Sequence, residues 1–345
     1  MNILYVNKIE RNAGWGAECF VNRGFLKLGH QTINLDYKTH QYRLADSLLA
    51  VDDFDVFLLQ RGDHFPPELI QAIQRPRFFW ASELVSRCRD QDRLLKSGLF
   101  DHVFVHSQEC LKAVTGQGWI KPENVSVLIN GFDPELHRLR PAGPKDIEVL
   151  FVGGILPRRR KLLDRLKLKF AVTEMAVFGE QLVTAFNRAQ IVLNLHAEEY
   201  LDTETRIFEA LGCGAFVISE KLAGENPFVS GRHLVETEGI TEMEQAIEYY
   251  LHHQSEREQI AQAGHEEALE KHSYIKRAEY IAGIMAKQGG RFNRKIPAID
   301  IRTVKAYRRW EPALKILNLA GRPGKKIMGK AKSLLSTMFK DKVAA

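Results

Sequence analysis

Residues 206–219, RIFEALGCGAFVIS, decide how the fold is read. Ile207, Phe208, Ala210 and Leu211 make a short apolar helix that opens on Arg206, and Ala215 to Ser219 reads as a buried strand. Gly212 and Gly214 separate the two, because glycine permits the backbone angles and close approaches that a ligand-facing turn requires. Glu209 is a charge set inside the apolar helix. Taken alone, the stretch also describes an ordinary helix-to-strand corner with a solvated glutamate. Its surroundings decide between the two.

Working upstream, IVLNLH (191–196) is a strand ending at His196, and the polar loop AEEYLDTET leads from it into Arg206. MAVFG (175–179) reads as a further strand with the helix EQLVTAFNRA behind it. EVLFVGG (148–154) is a strand ending in two glycines, followed by the basic helical run ILPRRRKLLDRLKLK. Arg158, Arg159, Arg160 and Lys161 lie within about the first turn of that helix, where positive charge opposes the helix dipole. They are either a solvated face or a clamp for an anion, and a guanidinium fork with a lysine suits phosphate. Downstream, HLVE (233–236) is a fifth strand, and helices fill residues 241–286.

The first part of the chain repeats the alternation. NILYV (2–6), QTINLD (31–36), DVFLLQ (55–60), RFFWAS (77–82), HVFVHS (102–107) and NVSVLI (124–129) are strand patterns separated by helical segments. The expected fold class is therefore α/β, with two Rossmann-like, doubly wound parallel sheets joined by a hinge and facing a cleft. Turn residues from Asn130 to Pro134 and the connector HRLRPAGPKD mark the hinge. The expected domains are 1–140, 141–286 and a basic C-terminal tail, 287–345. Ligands of such sheets bind beyond the carboxyl ends of the strands. Gly14 and Gly16, in a loop before a helix, are a candidate phosphate approach there, and Asp63, Glu83 and His106 occupy similar ends. His106 reads more readily as a partly buried strand histidine than as a catalytic group.

Length and composition fit this picture. The chain has 345 residues, 45% apolar and 27% charged, enough for two domains of about 100–200 residues each. Cys19, Cys88, Cys110 and Cys213 show neither a metal-type spacing nor a disulfide framework, which points to the cytoplasm. The first residues read as a strand and not as a signal peptide, and no apolar run reaches the roughly 18 residues of a membrane span. The net charge of +6 conceals an asymmetry. Residues 287–345 carry 16 Lys and Arg against three acidic residues, which leaves the remainder acidic.

In order and spacing, GWGAE (14–18), VFVHSQE (103–109), INGFDPELH (129–137), VLFVGGILPRRRKLLDRL (149–166), NRAQIVLNLH (187–196) and RIFEALGCGAFVIS (206–219) resemble the GT-B glycosyltransferases of the group 1, or family-four, type. The chain is most similar to their CgeB-like, spore-maturation-type branch, over roughly residues 1–285. The resemblance implies transfer of a sugar from a nucleotide-sugar donor, held mainly by the second domain, to an envelope, lipid-linked or polysaccharide acceptor. By position, Glu209 corresponds to the ribose-binding carboxylate, and Arg158 and Lys161 to the diphosphate pair. Arg206 and His196 complete the donor-binding set, and Gly14 and Gly16 approach the phosphates from the first domain. Glu83 and His106 are the candidate catalytic residues, with Glu83 facing the acceptor. Spreading the leaving group's charge over these cations implies no obligatory metal and no cofactor. One departure stands out. The family's second glutamate, eight positions before Glu209, is Leu201 here, so the usual contact to the donor sugar is not expected from that position. Glu198, Glu199 and Glu204 lie close by but out of register.

Residues 324–342 form a basic amphipathic pattern, with Ile327, Met328, Ala331, Leu334, Leu335, Met338 and Phe339 on one helical face. That pattern suits adsorption to an anionic membrane surface, or packing on protein. Nucleic acid is not an expected partner, because no stacking platform interleaves the charges. Two alternatives remain at this level: a nucleotide-sugar epimerase of the same architecture, and a non-catalytic nucleotide-binding member.

Overall fold

The computed structural model describes residues 1–12, 14–141, 143–198, 200–289 and 295–311. Six parallel strands form the first sheet: β1 (Asn2–Asn7), β2 (Gln31–Asp36), β3 (Val56–Gln60), β4 (Arg77–Ala81), β5 (His102–Val105) and β6 (Val125–Val127), in the order β2-β1-β3-β4-β5-β6. The second sheet is also parallel. It holds β7 (Ile147–Val152), β8 (Val172–Met175), β9 (Ala189–Asn194), β10 (Val217–Glu220) and β11 (Val235–Thr237), in the order β11-β10-β9-β7-β8. The doubly wound α/β class expected from the sequence is the one observed.

The helices are α1 (Ala17–Lys27), α2 (Leu44–Leu49), α3 (Pro67–Gln71), α4 (Asp92–Leu95), α5 (Gln108–Gly116), α6 (Pro157–Leu166), α7 (Gly179–Arg188), α8 (Thr205–Gly212), α9 (Ile240–His252), α10 (Gln254–Lys271), α11 (Tyr274–Gly289) and α12 (Ile301–Arg308). Among the described residues none is long and apolar enough to cross a membrane.

In the second sheet successive side chains divide between two cores. Leu150, Val152, Val192 and Val217 pack with Val183, Phe186, Ile207 and Phe208 of α7 and α8. Val149, Phe151, Ile191, Leu193 and Ile218 pack on the other face with Leu163, Met243 and Ile247 of α6 and α9. Strands covered on both faces read as unbroken apolar runs, and each fully buried Leu, Ile, Val or Phe contributes about 1.5–3 kcal/mol.

One local expectation is corrected. The strand expected at 175–179 is β8, four residues ending at Met175; Gly179, at φ 57, already opens α7. Between β4 and β5 the helical segment is a 3-10 turn at Arg89–Gln91 followed by the single turn α4. Between β2 and β3 the helical segment is confined to α2.

The chain divides into two compact units. One holds Met1–Leu128 with the described residues from Glu279 on, and the other holds Ile129–Ala278. The chain thus passes from one unit to the next at 128/129, earlier than the expected 140/141. Residues 295–311, expected to open a separate tail, are built into the first unit. Ala298, Ile299, Val304 and Tyr307 join its core, and Ile73 and Ile299 form an antiparallel bridge. Glu311 accepts from the Leu44 and Ala45 N–H groups, at 2.5 and 3.3 Å, and so caps α2, which has no side-chain cap from Arg43. The amphipathic pattern at 324–342 lies outside the described residues.

Candidate functional site

In the second unit the strand order reverses between β7 and β9, so the crevice beyond their carboxyl ends is where a ligand is expected. Gly153 and Gly154 follow β7, and Leu195 and His196 follow β9. Glu220 ends β10. Facing them are the first turn of α6, which carries Arg158 and Arg159, and the first turns of α8, which carry Arg206 and Glu209.

Arg158 is engaged by protein. Its Nη1 and Nη2 donate to the two Glu220 carboxylate oxygens at 2.9 and 2.5 Å, and Nη1 also donates to the His196 carbonyl at 3.0 Å. Glu220 Oε2 in turn accepts from the His196 N–H at 2.7 Å. Arg159 ties the same corner together. It donates to the Leu195 and Gly154 carbonyls, and its Nη2 reaches both Glu204 oxygens at 2.9 Å.

Glu204 is the hub. Besides Arg159 it accepts from Arg206 Nη1 at 3.3 Å and faces His196 Nδ1 at 3.7 Å. Burial alone would raise its carboxyl, but His196, Arg206 and Arg159 outweigh burial and hold it down at about 2. Burial likewise works against charge on the His196 ring. Glu204, the Lys221 carbonyl (accepting from Nε2 at 2.7 Å) and Glu220 nevertheless lift that ring above its ordinary range.

Arg206 lies over the Phe151 ring, 5.1 Å from its centroid, and donates through Nη1 to Asn194 Oδ1 at 3.2 Å. Its Nη2 donates to no group among the described residues. It lies beside Gly153, where a Cβ would come within 2.5 Å of it. Gly153, at φ 145, thus leaves room for this guanidinium edge at the end of β7.

Glu209 sits three residues further along α8, on the same side as Arg206. Its side chain is 20% exposed, and its one ion-pair neighbour among the described residues is His137, whose Nε2 lies 3.6 Å from Oε1. Burial pushes its carboxyl up to about 7, against the pull of Arg206. A carboxylate so poorly supplied with donors is built to accept hydroxyl groups.

The sequence-predicted residues fall into two groups. Arg158, His196, Arg206 and Glu209 come together in the second unit, whereas Lys161 is exposed and forms no ion pair among the described residues. Leu201 is half exposed. In the first unit Gly14 and Gly16 precede α1 with φ 86 and 105. Glu83 is held by Arg61, whose Nε also donates to Asp63 at 2.9 Å. Arg61 and His64 both adopt left-handed backbone, at φ 64 and 63. His106 is buried beyond β5. Sequence reasoning did not single out Glu220 or His137, and it placed Glu204 only as out of register. The importance of all three lies in pairings across strand ends that carry no local signal. Among the described residues no three His, Cys, Asp or Glu side chains gather as metal ligands would.

A family model described as "Glycosyl transferase-like" matches residues 158–283, the span holding Arg158, His196, Glu204, Arg206 and Glu209. No curated protein matches the chain. Among solved structures, sucrose-phosphate synthase from Thermosynechococcus elongatus is similar with a TM-score of 0.64 at 12% identity, over 84% of this chain and 99% of that one. Anabaena HepE in complex with UDP-glucose is similar with a TM-score of 0.60 at 16% identity, over 83% of this chain and all of that one. A glycosyltransferase from Rickettsia africae has a TM-score of 0.60 at 11% identity, over 83% and 98%. The architecture is that of the GT-B glycosyltransferases.

Proposed function

We propose that the chain is a nucleotide-sugar-dependent glycosyltransferase, a hexosyltransferase of the CgeB-like branch, acting on an envelope, lipid-linked or polysaccharide acceptor. The observation that carries this reading is Glu209. It is a partly buried carboxylate at the switch point of a parallel sheet, and its one ion-pair neighbour among the described residues, His137, stands off at 3.6 Å. A ribose offers two adjacent hydroxyls to such a group. Beside it, the open Nη2 edge of Arg206 and the glycine at 153 suit the diphosphate, and the departing nucleoside diphosphate's charge is stabilised by this guanidinium. In this reading the reaction needs no obligatory metal. The family model over 158–283 and the fold shared with the UDP-glucose complex of HepE support it. Cytoplasmic localisation, with residues 324–342 resting on the inner membrane face, completes the proposal.

Calorimetric titration with UDP-, GDP- and dTDP-sugars, with and without EDTA, tests the reading. It expects one nucleotide series to bind wild-type protein and to bind Glu209→Gln about 10–100-fold more weakly, the worth of hydrogen bonds to a charged group. Equal binding by both proteins would remove Glu209 from the site. EDTA-sensitive turnover would overturn the metal-free reading. Leu201, standing where a second glutamate is expected, favours one other reading, a nucleotide binder without turnover. Donor hydrolysis or transfer by the wild-type protein decides against it.

A further inference from the structure

The loop preceding β7 reaches α8 because Gly212 has no side chain. A Cβ at that position would lie 2.3 Å from the ring of Phe132, which is fully buried. The loop is pinned from its other side as well. Arg277 donates to the Ile129 and Asn130 carbonyls, and Phe132 exchanges backbone bonds with His272 and Tyr274. Inside the loop, Asp133 Oδ1 accepts from the Glu135 and Leu136 N–H groups at 2.8 and 3.3 Å, and its carbonyl accepts from the His137 N–H at 2.7 Å.

The result is a fixed imidazole. The His137 side chain is 2% exposed, and its Nδ1 accepts from the Asp133 N–H at 3.2 Å. A ring nitrogen that accepts carries no proton, so in the neutral ring the hydrogen sits on Nε2. That atom faces Glu209 Oε1 at 3.6 Å. Among the described residues, the other titratable groups around Glu209 are Arg206 on its own helix and Cys213 at that helix's end, beyond which lie Arg138, Arg140 and Glu180. His265 of α10 instead turns its Nδ1 to the Leu211 carbonyl, at 2.9 Å.

We infer that His137 is a positioning residue for Glu209: its Nε2–H steadies one carboxylate oxygen and leaves the other turned to the vicinal hydroxyls of a ligand. The inference rests on the proposed reading of Glu209 as a ribose ligand and adds to it the residue that aims the carboxylate. At 3.6 Å the contact is longer than a hydrogen bond, and ligand binding is expected to shorten it.

The test uses the full chain with His137→Phe, which loses the N–H, and His137→Gln, which keeps a donor of similar reach. UDP and 2′,3′-dideoxyuridine diphosphate are titrated calorimetrically between pH 5.5 and 8.5. The Phe variant is expected to bind UDP about tenfold more weakly at pH 7, with its pH midpoint moved alkaline by about half a unit to one unit. The Gln variant stays near wild type, and neither variant changes binding of the dideoxy nucleotide. Unchanged UDP binding by His137→Phe overturns the inference, as does an equal loss for both nucleotides. If the Phe variant fails to fold, His137→Asn, which retains the acceptor for Asp133 but falls short of Glu209, serves the same comparison. A nucleotide-free arm follows over pH the change in Tm that Glu209→Gln causes, with His137 present or replaced. An unmoved midpoint there overturns the role of His137. Failure of wild-type protein to bind any nucleotide overturns the proposed function alone.

Discussion

Glu209→Gln should make the unliganded protein more stable while disabling the site. Burial raises the Glu209 carboxyl from 4.5 to about 7. A group whose folded value lies above its unfolded one contributes stability that is fully present below pH 4.5 and is lost as pH rises through 7. At about 1.36 kcal/mol per unit, the ionised side chain at pH 8 costs at most about 3 kcal/mol relative to a neutral one. Because the carboxylate is one-fifth exposed, solvent relaxes part of this, and about 1–3 kcal/mol is the expected gain from the neutral amide. For a unit of this size, roughly 2–4 °C of Tm follows each kcal/mol.

Differential scanning calorimetry of both proteins between pH 4.5 and 8.5 measures it. The two should melt together at the acid end and separate by several degrees at the alkaline end, with the midpoint near 7. Saturating nucleotide should close or reverse the gap, because binding at a hundredfold excess over Kd adds about 2.7 kcal/mol to wild type and less to the variant. A Tm difference of constant size across the pH range would refute the premise that a strained carboxylate is kept for ligand.

Three further outcomes follow from the same geometry. Glu204→Gln leaves Arg159 and Arg206 without their shared carboxylate and should cost about 3–5 kcal/mol, read by chemical denaturation of the variant at pH 7. Since Glu204 is held at about 2, its contribution is present above pH 4.5 and is lost as pH falls through 2, so wild-type and variant stabilities should converge only in strong acid. Gly212→Ala drives a methyl into Phe132 and should cost at least about 1–3 kcal/mol while weakening nucleotide binding, both measurable on one preparation by thermal shift with and without UDP. Glu311→Ala removes the cap of α2 and should cost about 0.5–2 kcal/mol, with faster hydrogen exchange at Leu44 and Ala45 and nucleotide affinity unchanged.

The sheets were legible because both their faces are covered. A strand buried on both sides needs no alternation to be recognised: Val56 to Leu59 and Val149 to Val152 are unbroken apolar runs, and each became a central strand. The misplaced strand was β8, an edge strand whose four residues are all partly exposed. Its apolar signal is weak, and the more apolar residues that follow it belong to the approach to α7. The docking of α12 was hidden for a related reason. Its segment is basic overall, and the few residues that bury, such as Val304 and Tyr307, are too sparse to override that composition.

For the site, the legible part was what one chain segment carries alone. Arg206 and Glu209 share a helix face, and His196 ends an obvious strand. The illegible part is pairing. Arg158 read as an anion clamp, yet Glu220, from the end of a strand 62 residues later, engages its fork. That leaves Arg206 Nη2 as the open guanidinium edge beside Gly153. The two glycines of the 206–219 stretch show the same limit. Both were read as turn formers, and Gly214 is one, at φ 68. Gly212 instead sits at the end of α8, and its value lies in the side chain it lacks, which lets Phe132 dock and bring His137 to Glu209. A missing side chain leaves no periodic trace in a sequence. The residue that it admits, distant in the chain, becomes visible only once the backbone is folded.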